Sequence, residues 1–75
     1  MEVSEDKFLI DLGMHIRRLR ELKNLSQEDL AMDSEIPKIQ IQRIELAKIN
    51  TTVKTLVKIA NALGVEPKTL LDFTK

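Results

Sequence analysis

Seventy-five residues, 43% of them apolar, suffice for one domain and leave no room for a second core. With no cysteine and a single histidine, the chain excludes a disulfide scaffold, a thiolate metal site and a His-rich metal site. Formal net charge is zero, which weighs against a strong non-specific polyanion binder, and only Phe8 and Phe73 are aromatic, so the core must be aliphatic.

The elements follow in chain order. Leu9, Leu12, Ile16 and Leu19 recur at steps of three and four, which predicts a helix over 5–23 with one apolar face. Asn24 suits its C-terminal cap, and Gly13 interrupts it at about 1 kcal/mol relative to Ala. A second helix is expected over 27–33. Ser26 is its N-cap, Asp29 stands three residues on as in a capping box, and Leu30 and Ala31 face inward. Ser34-Glu35-Ile36 forms a turn whose Ile36 plugs the core. Pro37 suits the first position of a third helix over 38–46. Ile41 and Ile44 form its inner face, so Lys38, Ile39, Gln42 and Arg43 point largely outward. Asn50, Thr51 and Thr52 supply a cap for a fourth helix over 53–63, striped by Leu56, Ile59, Ala60 and Leu63 and closed by Gly64. Pro67 opens a fifth helix over 67–71 with Leu70 and Leu71 inward, and Phe73 follows as a late anchor.

The sum is an all-α, compact five-helix bundle, one domain over 1–75. The second and third helices, joined by a tight turn, have the layout of a helix-turn-helix, whose second helix can enter the DNA major groove. Charge is segregated along the chain. Residues 26–36 carry four acids and no base, whereas residues 37–58 carry five bases against Glu45. A mixed solvated surface explains such a pattern equally well.

Together, IRRLRELKNLSQEDLA, IQRIE and TLVKIANALGV resemble the phage-repressor-type helix-turn-helix domain of the XRE family, over about residues 12–72. The resemblance implies a lambda-repressor-like fold and a sequence-specific DNA-binding transcriptional regulator that uses no cofactor. It implies for Gln27, at the start of helix two, an amide that touches both a phosphate and the recognition helix, and base contacts for Lys38, Ile39 and Gln40, with Arg43 one turn on. Lys48, Asn50 and Thr51 match a loop that runs along phosphates. Arg20 and Glu45 match an internal salt bridge. Three departures stand out: Glu35 and Ala47 occupy positions that are usually Gly, and Glu66 replaces a Ser or Thr cap.

Each assignment has a plainer counterpart. Arg43 suits a bidentate grip on guanine, or a solvated side chain paired with Gln40 or Glu45. Ile39 suits a thymine methyl, or contact with helix two. Gln40 and Gln42 both suit adenine but flank Ile41 and cannot point the same way. Asn50 and Thr51 suit phosphate contact or simple capping. His15 reads as a surface residue, and no residues read as metal ligands.

The expected partner is double-stranded DNA, bound by a homodimer. The dimer surface is either helix five with the Leu70–Phe73 tail or the acidic first helix. A protein-interaction module is the competing class, such as an antitoxin docking a basic toxin. A restriction–modification controller is a further variant of the regulator. No carboxylate pair, activated nucleophile or phosphate-cradling glycine loop argues for an enzyme. Neither a basic leader nor a membrane-length apolar run is visible, so a cytoplasmic address is expected.

Overall fold

A computed structural model describes residues 2–73. It contains four α-helices, α1 (Glu5–Leu22), α2 (Gln27–Ser34), α3 (Lys38–Glu45) and α4 (Val53–Leu63), followed by a 3-10 turn (Pro67–Leu71). The expected fifth helix is thus a 3-10 element. Glu66 precedes it without any side-chain cap bond, and five residues rarely sustain an α-helix alone. The other ends fall within a residue of those the sequence predicts.

Each helix start has a local cause. Ser4 Oγ accepts the Lys7 N–H at 3.3 Å and opens α1, with Glu5 and Asp6 favourably placed in its first turn. Ser26 and Asp29 complete a reciprocal capping box: Asp29 N–H donates to Ser26 Oγ at 2.9 Å, and Ser26 N–H donates to the Asp29 carboxylate at 3.0 Å. These bonds to Ser26 hold the Asp29 carboxyl below the usual carboxylate range. Thr52 alone caps α4, accepting the Thr55 N–H at 3.1 Å. Pro37 sits one place earlier than expected, at the N-cap of α3, with an extended ψ of 140°.

All four helices end in the same way. Asn24, Glu35, Ala47 and Gly64 adopt left-handed backbone at φ 58, 58, 58 and 71°. At each end a paired N–H···O=C bond closes the last turn, such as Leu25 N–H to Arg20 O at 3.1 Å and Lys48 N–H to Arg43 O at 2.7 Å. The backbone is therefore the one glycine favours, and Glu35 and Ala47 adopt it at about 1–2 kcal/mol each.

The core draws one fully buried side chain from every element: Ile16, Leu30, Ile41, Ile59 and Leu70. Ile36 is buried in the turn, and Ala31 and Ala60 let helices approach closely. Leu71 is 41% exposed rather than inward, because the 3-10 repeat turns only Leu70 to the core. Phe73 packs on Phe8 with ring centroids 5.0 Å apart. His15 is not a surface residue. It is half-buried, its Nε2 bonds the Thr69 carbonyl at 2.8 Å, and it lies against Phe73 at 5.6 Å. It thus ties α1 to the C-terminal turn.

Candidate nucleic-acid interface

Placement of α3 begins with its buried side. Gly13 of α1 faces the end of α3 so closely that a Cβ there would lie 2.5 Å from Ile44 O and 2.6 Å from Glu45 O. The residue that interrupts α1 in sequence is the one that lets the two backbones touch.

A buried carboxylate anchors the same end. Glu45 accepts a fork from Arg20, Nε at 2.7 Å and Nη2 at 3.1 Å, and a third bond from Gln27 Nε2 at 3.0 Å. Arg20 Nη1 also donates to Leu25 O at 2.8 Å. The hydrogen bond to Glu45 raises the Arg20 pKa, and burial opposes it. Planar bidentate geometry of this kind fixes orientation as well as charge. The clamp joins α1, the start of α2 and the last residue of α3, so α3 is held as a rigid body.

The opposite face of α3 is open. Lys38, Ile39, Gln42 and Arg43 are all exposed, Ile39 to 53%. Gln40 is half-buried, on the other side of Ile41 from Gln42. Arg43 has neither Gln40 nor Glu45 as a hydrogen-bond partner. Lys38 Nζ lies 3.9 Å from Glu28 of α2, in a loose exposed pair. After α3, Lys48 and Asn50 are exposed, and Asn50 Oδ1 accepts the Thr51 N–H at 3.1 Å. The Thr51 hydroxyl is turned inward without a partner, and since Thr52 makes the α4 cap, neither Asn50 nor Thr51 is needed for it.

The nine foreseen interface residues therefore separate. Lys38, Ile39, Gln42, Arg43, Lys48 and Asn50 share the solvent side of α3 and its following loop. Gln27 directs its amide into the clamp, Gln40 is partly covered, and the Thr51 hydroxyl is covered. Sequence reasoning missed Gly13 as a contact point and Glu28 as the neighbour of Lys38. For Gly13 a signal existed: a lone glycine within a helix, one position beyond the apolar Leu12. For Glu28 none did, because the pair spans two helices.

Among the described residues no cluster of His, Cys, Asp or Glu could hold a metal ion, and no helix is long and apolar enough to cross a membrane.

A rigid helix with a polar, partly basic outer face, set behind a capped helix of equal length, is the geometry of a DNA reader. The helix-turn-helix family matches residues 16–70. This chain belongs to that family, in its XRE form. The protein is accordingly a DNA-binding transcriptional regulator. It is similar to control protein C.BamHI of Bacillus amyloliquefaciens, 43% identical over 63 residues that span 83% of this chain and 78% of that protein. It is also similar to control protein C.SmaI of Serratia marcescens, 37% identical over 60 residues, or 80% of this chain and 71% of that one. The fold of this XRE-family chain superimposes on the crystal structure of the restriction-modification controller protein C.AhdI from Aeromonas hydrophila with a TM-score of 0.82. Identity there is 35%, and the match covers 83% of this chain and 94% of that one.

Proposed function

We propose that this regulator is a restriction–modification controller that reads its operator with α3 in the major groove. Similarity to C.BamHI, C.SmaI and C.AhdI supports the biological setting. One observation carries the mechanism: the inner face of α3 is locked by the Glu45 clamp while Lys38, Ile39, Gln42 and Arg43 stand together on the outside. A reader needs both, because side chains must meet base edges from a fixed register.

In this reading Arg43 grips guanine O6 and N7, Gln42 reads adenine and Ile39 meets a thymine methyl. Lys38 supplies a base or phosphate contact at the head of α3. Lys48 and Asn50 run along the backbone and set the register. Gln27 acts by orienting α3, and the clamp keeps Arg20 and Glu45 away from the DNA.

The protein acts as a homodimer on two half-sites about one helical turn apart. Of the tail foreseen for self-association, Leu70 and Phe73 pack into the fold and Leu71 stays exposed, as do Val53 and Val57 on α4.

Fluorescence anisotropy tests the reading, with a labelled mixed-sequence duplex titrated from low salt upward. Wild type binds and loses affinity steeply with salt. A Lys38→Ala/Arg43→Ala variant with an unchanged melting temperature binds much more weakly. Absence of binding by the wild type at low salt would overturn the proposal. Sedimentation equilibrium checks the dimer.

A further inference from the structure

We propose that Glu28 is a positioning residue for Lys38, and that it thereby sets how strictly the protein separates its operator from other DNA. The inference rests on the reading of α3 as the DNA-facing helix.

Glu28 Oε1 lies 3.9 Å from Lys38 Nζ, joining the second residue of α2 to the first residue of α3. Their side chains are 71% and 57% exposed, so the pair adds little to folding stability. Its effect is on where the ammonium sits. A lysine carries a compact charge on a flexible stem and accepts any phosphate within reach. Phosphate contacts hold a protein on DNA without reporting sequence. With Glu28 beside it, the ammonium is drawn toward α2 at the head of the outward face, next to Ile39. A phosphate must compete with a carboxylate for it.

The other acids of α2 and its turn do not share this role. Asp29 is engaged with Ser26 in the capping box, and Asp33 and Glu35 make none of the ion pairs found among the described residues. In a segment of four acids and no base, Glu28 is the one set against a cation of α3.

The test is a double-mutant cycle read by anisotropy. Wild type, Glu28→Gln, Lys38→Gln and the double variant are titrated with salt on a mixed-sequence duplex and on an operator selected with the wild type. Glu28→Gln binds the mixed-sequence duplex about threefold to tenfold more tightly, and its log–log salt slope steepens by about two, one for the lysine freed in each protomer of the proposed homodimer. Operator affinity rises less, so discrimination falls, while the melting temperature stays at the wild-type value. In the Lys38→Gln background Glu28→Gln changes neither slope nor discrimination. Asp33→Asn, which removes the same charge elsewhere on α2, leaves the slope as in wild type.

An unchanged slope and operator ratio for Glu28→Gln overturns the proposal. So does an equal gain in the Lys38→Gln background or from Asp33→Asn, since either would mean bulk charge alone. Failure of the wild type to bind either duplex overturns the reading of α3 itself, and this inference with it.

Discussion

Arg20 and Glu45 are buried charges, and each is tolerable only because the other satisfies it. Removing the arginine strands a carboxylate that retains only the Gln27 amide, at about 3–5 kcal/mol. A domain of this size commands little more than that in total. Arg20→Ala is therefore expected to be largely unfolded by circular dichroism at room temperature, and a cooperative melt at the wild-type temperature would refute the clamp. Gly13 makes the opposite kind of claim. Helix propensity alone predicts that Gly13→Ala gains about 1 kcal/mol. Its Cβ would instead meet two carbonyl oxygens and a carbonyl carbon of α3 at 2.5–2.9 Å. Forced repacking of a tight contact is destabilising by about 1–3 kcal/mol. The urea midpoint of Gly13→Ala should fall, and a midpoint at or above wild type would mean the helices can part without loss.

At the scale of elements, the turns before and after α3 share one weakness. Glu35 and Ala47 hold left-handed backbone that glycine adopts without a Cβ clash. Ala47→Gly should therefore raise stability by about 1 kcal/mol, or roughly 4–8 °C in melting temperature for a chain this short. Thermal melting checks it, and a fall in melting temperature would count against the strain. The capping pattern shows how local chemistry suffices for elements. Ser4, Ser26 and Thr52 each accept an N–H three residues on; Ser26 and Thr52 were read as caps because a short hydroxyl stands just ahead of a periodic apolar run, whereas the Ser4 cap was found only in the structure. The 3-10 turn was less readable. Leu70 and Leu71 suit either repeat, and the uncapped start at Glu66 leaves packing to choose.

For the whole molecule, neutrality conceals a division of labour. Eight of the twelve acids lie in residues 1–13 and 26–36, while Lys38, Arg43 and Lys48 line α3 and its loop. On mixed-sequence DNA, where Arg43 has no guanine site to fill and Glu28 restrains Lys38, Arg43 and Lys48 of each protomer in the proposed homodimer predict a log–log salt slope of about −4 at roughly 0.9 per neutralised phosphate. A slope close to zero would exclude this face as the phosphate-binding one.

Apolar periodicity and helix-end chemistry were enough to place four helices, their inner faces and the outward set Lys38, Ile39, Gln42 and Arg43, because these depend on neighbours within a turn or two of chain. Contacts across the chain were not legible in the same way. That Gly13 is a point of helix contact, that His15 is tied to Thr69 and that Glu28 stands beside Lys38 all depend on how separate helices cross. The sequence by itself determined the four α-helices and the family. Only the tertiary structure decided which polar side chains are used up in holding α3 and which remain exposed on its outer face, because burial and hydrogen bonding between helices are properties of packing.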